Sequence, residues 1–251
     1  FSCPSCALPV SFPGMEYDEQ GTCSTCRQFR GYRDKSRNYF DDIDALHTLM
    51  ADAKKQTQSK YDCMVLFSGG KDSSYVLYRL VEMGYKVLAF TFDNGYISDS
   101  AFENIRRITT NLNVDCIIRQ APKMNRIFVE SLNTDQDVCN GCFKAVNTIG
   151  TQVALEHNIN VIVSGVSRGQ IFDIKLEGLY NMNIFDNREV DANQLMFRKK
   201  YHAMTNKVSQ LLGIELKEEE LETIQFVDFY RYDSTPVHKI KEYLKQQDKL
   251  W

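Results

Sequence analysis

The sequence predicts an α/β fold, a mainly parallel sheet covered by helices on both faces, with a small cysteine-bearing module in front of it. Three observations carry this. Short apolar runs of strand length at 62–67, 86–92, 114–118, 160–164 and 225–229 alternate with stretches of helical spacing, among them 100–112 and 145–157. Such alternation favours parallel pairing, with crossover helices on the sheet faces. The first run leads directly into Phe67-Ser68-Gly69-Gly70-Lys71-Asp72-Ser73-Ser74 and then into helical spacing through Val81, which reads strand, glycine-rich turn, helix. Finally, Cys3-Pro-Ser-Cys6 and Cys23-Ser-Thr-Cys26 are separated by sixteen residues, the spacing of a zinc ribbon.

Length and charge bound the function. A chain of 251 residues accommodates one large domain plus a small one. A formal net charge of −3 argues against wrapping long nucleic acid, although a local basic patch could still hold a folded RNA. No apolar run approaches about 18 residues and no signal-peptide pattern opens the chain, so a cytoplasmic protein without a membrane role is expected. Because it begins at Phe1, the chain is expected to be trimmed from a longer product, with more sequence conceivable beyond Trp251. The eight cysteines read as metal and redox chemistry, not as a disulfide framework.

In chain order, residues 1–36 form the expected zinc-ribbon module. Four thiolates from Cys3, Cys6, Cys23 and Cys26 close a tetrahedral Zn²⁺ shell, and the turn-rich segment between them (Pro9, Pro13, Gly14, Gly21) needs that metal for stability. A closed shell leaves no catalytic position, so the module holds shape or docks a partner. Residues 37–60 read as a linker helix: a basic stretch (Arg27, Arg30, Arg33, Lys35, Arg37) runs into amphipathic spacing from Phe40 to Lys55. Residues 61–251 form the main domain. In an open parallel sheet the ligand sits beyond the carboxyl ends of the strands, at the point where strand order reverses.

The loop at 67–74 is suited to phosphate. Two glycines let the backbone approach an anion, and the unpaired amides and dipole of the following helix favour negative charge. Lys71 supplies a point charge for β- and γ-phosphate, and Asp72 a carboxylate for Mg²⁺ beside the phosphates. Ser68, Ser73 and Ser74 add hydroxyls; Asp72 could also merely stabilise the helix start. Ser68 to Ser73 resembles the Ser-Gly-Gly-Xaa-Asp-Ser loop of the PP-loop ATP pyrophosphatases, whose fold is the Rossmann-like, adenine nucleotide alpha hydrolase-like sheet. The resemblance implies ATP binding, transfer of AMP to a carbonyl or carboxyl oxygen, and release of pyrophosphate. It also places the adenosine against Phe92 and Asp93 at the second strand end. Ser164-Gly165-Val166-Ser167-Arg168-Gly169-Gln170 resembles the family's second nucleotide loop, without the His and paired Asp often found there. Arg168 could stabilise charge on the phosphates, or be a surface cation; Asp93 could be only a turn former.

The incoming atom is read from Cys139-Asn140-Gly141-Cys142-Phe143-Lys144. A Cys-x2-Cys in a turn before a predicted helix is expected to gain thiolate character from the helix dipole and from Lys144. It resembles the paired cysteines of sulfur-inserting PP-loop enzymes, which favours replacement of the activated oxygen by sulfur, with Cys139 and Cys142 carrying a persulfide. An iron–sulfur cluster is not favoured, since no cysteine follows Cys142; a second structural zinc is another reading. Cys63 and Cys116 are expected to be buried core thiols. The front half, from the cysteine pairs through Glu16-Tyr17-Asp18-Glu19-Gln20-Gly21-Thr22-Cys23 to Asp93-Asn94-Gly95-Tyr96, is similar to the N-acetyl sugar amidotransferases. That alternative implies ammonia from a partner glutaminase subunit. A nucleotide-binding sensor is the non-catalytic alternative. The acceptor is a small molecule, a carrier-bound group or an RNA; a sulfur donor is implied by the first reading, and a homodimer is compatible with all of them. Farther on, Phe172 to Gly178 is a candidate substrate wall and Asp191 to Leu212 reads as one long helix with Lys199, Lys200, His202 and Lys207 near its middle. Tyr230 to Asp233 could line the mouth, and Val237 to Leu250 reads as a helix capped by Thr235 with Pro236 in its first turn.

Overall fold

The structure, a computed structural model, describes residues 2–203, 207–248 and 250. All five strands of its sheet are parallel: β1 (Cys63–Leu66), β2 (Val87–Asp93), β3 (Asp115–Gln120), β4 (Val161–Ser164) and β5 (Gln225–Asp228), in the order β3-β2-β1-β4-β5. The register pairs Val65 with Ala89 of β2 and with Val163 of β4. Order therefore reverses between β1 and β4, and the loops following those two strands flank the crevice.

Helices cover both faces, as the alternation of strands and helices requires. The period-2 alternation of β1 divides the core. Cys63 and Val65 join a cluster with α2 (Ile43–Lys54), α3 (Lys71–Glu82), α4 (Asp99–Leu112) and α12 (Val237–Gln247), through Leu46, Val76, Leu80, Ile108 and Leu244. Met64 joins the opposite cluster with α5 (Met124–Asp135) and α6 (Val138–Glu156), through Ile127, Ala145, Ile149 and Val153. Every residue of β2 is buried, as expected of a central parallel strand. Gly150 lets α6 lie close to the sheet: a Cβ there would sit 3.2 Å from Leu66 and 3.3 Å from Phe90.

The front module joins this body through α1 (Ser24–Arg37). Its N-cap is Cys23, whose sulfur accepts from the Cys26 amide. Phe29 meets Phe172 edge-on at 5.0 Å and Tyr32 meets Tyr180 at 5.6 Å, while Gln28 and Tyr32 both donate to Asn181. The basic residues of α1 have local uses: Arg27 donates to the Thr22 carbonyl, Arg30 to Ser5, and Lys35 lies 3.5 Å from the centre of the Phe185 ring.

Several boundaries differ from expectation for local reasons. The candidate substrate wall at Phe172 to Gly178 is a π-helical turn (Phe172–Leu176) between α7 (Arg168–Ile171) and α8 (Glu177–Asn181). The long helix expected over Asp191 to Leu212 is α9 (Asn187–His202), begun by the Asp186 cap, and a separate α10 (Lys207–Leu212); residues 204–206 lie outside the described residues. The acidic α11 (Glu218–Thr223) precedes β5. Thr235 does not cap α12: Pro236 holds the N-cap position, and the Thr235 hydroxyl accepts from Tyr75. Trp251, like residue 249, is outside the described residues.

The π turn brings Lys175 under the end of β5. Its ammonium pairs with Asp228, whose other oxygen accepts from Ser164 Oγ at 2.6 Å. Burial raises the Asp228 carboxyl, but Lys175, Ser164 and Arg198 outweigh it and hold it below the usual carboxylate range. This pair ties β4, β5 and the π turn together. Asp228→Asn leaves the Lys175 ammonium buried without a counter-charge, so urea denaturation is expected to show a loss of about 3 kcal/mol. The double variant Asp228→Asn, Lys175→Met is expected to recover most of that.

Candidate active site

The turn after β1 is shaped by two glycines with distinct tasks. Gly69 has φ +72°, and a Cβ there would lie 2.6 Å from the Ala101 carbonyl oxygen, so no side chain fits. Its own carbonyl accepts from Asn104 at 3.3 Å. Gly70 is the N-cap of α3 in extended conformation, and no side chain caps the helix there. The first-turn amides of α3 therefore face the crevice without an internal acceptor. Ser73 Oγ donates to the Gly70 carbonyl at 3.2 Å and accepts from the Ser68 amide at 3.2 Å, which braces the turn from inside. Ser68 Oγ lies 3.0 Å from Ser73 Oγ, and Ser74 Oγ is buried without a partner.

The turn after β4 closes on this one. A Cβ on Gly165 would lie 3.1 Å from both the amide nitrogen and Cα of Ser73 and 3.2 Å from the Asp72 carbonyl carbon. Backbone yields less readily than a side chain tip, so any larger residue at 165 would require the two loops to shift by a few tenths of an ångström. Lys71 and Asp72 form an ion pair with each other, and Tyr230 Oη lies 3.4 Å from the Asp72 carbonyl oxygen.

Other predicted positions have structural partners. Asp93 Oδ1 accepts from the Gly95 amide at 2.8 Å and Oδ2 from Gln120, so its carboxylate closes the turn after β2 and links it to β3. Phe92 is a core residue on the α5/α6 side, leaving its backbone, not its ring, for the strand end. Arg168 donates through Nε to the Tyr230 carbonyl at 2.8 Å and stacks on Phe40 at 4.4 Å. Burial lowers its pKa.

The cysteine pair corrects the sequence expectation. Cys139 and Cys142 lie within the first turns of α6, not in a turn before it. The helix start is already capped by Asp137, which accepts from the Cys139 amide at 2.8 Å. Negative charge on Asp137, with burial, raises the Cys139 thiol, and Lys144 lies over the Tyr201 ring at 4.3 Å with burial lowering its own pKa. Gly141 has a packing role: a Cβ there would be 2.8 Å from Ser131 Cβ, and its amide donates to Ser131 Oγ at 2.9 Å, joining α6 to α5. Cys142 is nearer the crevice, its sulfur accepting from Asn94 Nδ2 at 3.4 Å. Cys63 is buried, as expected of a core thiol, whereas Cys116 is only half-buried and packs against the edge of that core.

A cavity of about 220 Å³ opens beside the β4 and β5 ends, between the sheet, α6 and α9. Leu66, Ile162, Phe143 and Phe226 line it, together with Arg198, Tyr201 and His202. Sequence reading named His202 among other helix residues but passed over Arg198 and Asp228. A half-buried arginine one turn before a buried histidine on α9 carries no distinctive spacing. His202 is almost fully buried, and burial, Arg198 and Lys144 push its pKa down to about 4.

In the front module the sulfurs of Cys3, Cys6, Cys23 and Cys26 all lie within 4.8 Å of one another. A tetrahedron with metal–sulfur bonds of about 2.3 Å has edges of about 3.8 Å, so the set fits a four-coordinate metal after slight contraction. The Cys6–Cys23 separation is already 3.7 Å. The Cys3 thiol is drawn down to about 6, chiefly by the Cys23 amide. Among the described residues this is the one group of three or more potential ligands so assembled.

A braced glycine turn and a second loop pressed against it lie at the reversal point of a parallel sheet, where the ligand of such a sheet is held. Comparison with known proteins agrees. Residues 62–167 match the model of the family described as "Queuosine biosynthesis protein QueC". The chain is 29% identical over 119 residues to 7-cyano-7-deazaguanine synthase 2 of Colwellia psychrerythraea, covering 47% of this chain and 53% of that protein. It is 30% identical over 118 residues to 7-cyano-7-deazaguanine synthase of Hahella chejuensis, covering 47% and 50%. The chain thus spans about half the length of these curated relatives. Among solved structures, the U34-tRNA thiolase NcsA from Methanococcus maripaludis with its [4Fe-4S] cluster aligns at 14% identity and TM-score 0.47, covering 97% of this chain and 72% of that one. Over residues 62–167 the chain is therefore similar to the PP-loop ATP pyrophosphatase superfamily.

Two measurements follow. Metal analysis of the purified chain is expected to find one zinc per chain, lost in Cys3→Ser and in Cys23→Ser, with a lowered melting temperature in both. His202 makes a separate contribution. Its folded pKa of about 4 lies below the reference 6.5, so the unfolded chain binds more protons between those values. The stabilisation is complete above pH 6.5 and is lost as pH falls towards 4. Urea midpoints of wild type should fall over that window more steeply than those of His202→Phe.

Proposed function

We propose that this chain cleaves ATP between its α- and β-phosphates and passes AMP to a carbonyl or amide oxygen, after which an incoming ammonia nitrogen replaces that oxygen. The observation that carries the reading is the contact of the Gly165 backbone with Asp72 and Ser73, which brings two strand-end loops together at the start of α3. The open amides of α3 and the Ser68 hydroxyl would receive phosphate oxygens, and Lys71 would neutralise the departing pyrophosphate. Asp72 is the carboxylate available to Mg²⁺, which when bound shields phosphate charge.

Bond changes balance without an external oxidant. The acceptor oxygen attacks the α-phosphorus and the α–β bridging bond breaks, releasing pyrophosphate. Ammonia then adds to the activated carbon, loses a proton, and the carbon–oxygen bond to AMP breaks. The chain's part is to align these groups and keep water out.

Nitrogen is favoured over sulfur because the electrostatic basis for a reactive Cys139 thiolate is absent: Asp137 occupies the helix start and Lys144 faces Tyr201. The front-half similarity to N-acetyl sugar amidotransferases supports the same choice, and the curated relatives are named for a product bearing a cyano group. A glutaminase subunit is then the expected ammonia source. The sulfur reading retains one observation, the Cys142 thiol at the mouth beside Asn94. The domain division 1–36, 37–60 and 61–251 accompanies this proposal, with α1 docking the ribbon onto the catalytic body.

The test is AMP and pyrophosphate release from ATP against a panel of acetamido sugars and heterocyclic carboxylates, with ammonia or sulfide supplied. Ammonia-dependent product that persists in Cys139→Ser and Cys142→Ser is expected. Sulfide-dependent product abolished by Cys142→Ser would transfer the reading to sulfur, and AMP formation with no acceptor in any condition would overturn both.

A further inference from the structure

Arg198 is the least explained charge in the molecule. Its guanidinium stacks on Phe226 with 3.2 Å between its central carbon and the ring centre, and it lines the cavity beside β4 and β5. Among the described residues it makes no hydrogen bond and no ion pair. Asp228, the carboxylate whose charge acts on it, already pairs with Lys175 and accepts from Ser164. A stacked guanidinium keeps its planar fork of donors free, the geometry that receives two oxygens of a carboxylate or phosphoryl group.

His202 supplies a second requirement. Its Nδ1 lies 2.9 Å from Thr148 Oγ1. The single Thr148 hydroxyl proton goes to the Lys144 carbonyl, 2.9 Å away, so that oxygen must accept from Nδ1–H. Neutral His202 therefore carries its proton on Nδ1, and Nε2 is a bare acceptor. That Nε2 is buried without a partner, as is the Tyr201 hydroxyl, and both residues line the cavity. An unpartnered buried acceptor is costly unless a ligand donates to it.

We propose that this cavity is the acceptor pocket, and that it takes a compact ring-bearing molecule with an oxyanion seated on Arg198 and an N–H or O–H donor directed to His202 Nε2. The proposal rests on the adenylation reading for the word acceptor, but the binding site stands on its own geometry. Leu66, Ile162 and Phe226 give the ring apolar faces, and Phe143, 46% exposed, forms part of the rim. Ser164 connects the pocket to the nucleotide crevice, because it precedes Gly165 and also lines the cavity. An oxygen of a molecule held there would lie next to the loop that begins at Gly165.

Titration calorimetry on the full chain tests this, with and without α,β-methylene ATP to occupy the phosphate loop. The probes are N-acetylglucosamine 1-phosphate and N-acetylneuraminate, which share an acetamido donor and differ in oxyanion, and neutral N-acetylglucosamine. Both anionic probes are expected to bind at least about tenfold tighter than the neutral sugar, and their ranking distinguishes phosphoryl from carboxylate ligands. Arg198→Met should abolish the anion preference. Arg198→Lys, which keeps charge and loses the fork, should weaken it partially. His202→Phe should weaken all three probes while retaining the preference. Affinity for the ATP analogue should be unchanged in each variant. Equal binding of charged and neutral probes to wild type, undiminished anion binding in Arg198→Met or Arg198→Lys, or no binding of any probe overturns the proposal. Arg198-dependent binding in a chain that never forms AMP would preserve the pocket and discard the adenylation reading.

Discussion

The architecture depends on one close approach, the backbone of Gly165 against that of Asp72 and Ser73. Parallel β1 and β4 are neighbours about 4.8 Å apart, and their following loops must either diverge or meet. They meet because Gly165 has no side chain, while Gly69 accepts φ +72° and nestles against α4. The α3 amides, the serine hydroxyls and the Lys71–Asp72 pair are fixed relative to the second loop by that contact. Without it the two halves of the sheet would present separate turns instead of one crevice.

Around this contact the molecule places three supports. The cysteine cluster fixes the start of α1, whose aromatic face packs on the π turn and α8. The same π turn delivers Lys175 to Asp228, and Asp228 orients Ser164 immediately before Gly165. A path of packed groups therefore runs from the front module to the loop contact. The extra residue of a π turn, costly in an ordinary helix, is what aims Lys175 inward here.

Much of this was legible beforehand. The five strands and the loop at 67–74 follow from apolar runs and glycine placement, because backbone hydrogen bonding and sterics act locally. Both Cys-x2-Cys pairs of the front module also assemble as their spacing implies. The central pair misled for a definable reason. Cys139-Asn140-Gly141-Cys142 resembles a reactive turn, yet Asp137, two residues before Cys139, is a better helix cap, and Gly141 is needed for contact with Ser131. The Asp-x-Cys arrangement was present in the sequence as a signal for the cap. Arg198 and Asp228 were not foreseeable, since their meaning arises from tertiary placement: a cation without a hydrogen-bonded partner among the described residues and a carboxylate already engaged by Lys175, which lies fifty-three residues earlier. Asp93 shows the same limit in reverse, a strand-end carboxylate whose partners, Gly95 and Gln120, make it structural.

The central claim is that the loop contact builds the nucleotide cradle. It is tested most directly by measuring ATP affinity in Gly165→Ala, with circular dichroism as the check that the sheet survives. The account predicts native secondary structure with ATP binding weakened at least about tenfold, because the added methyl forces the loops apart. Native structure with unchanged ATP affinity would contradict it.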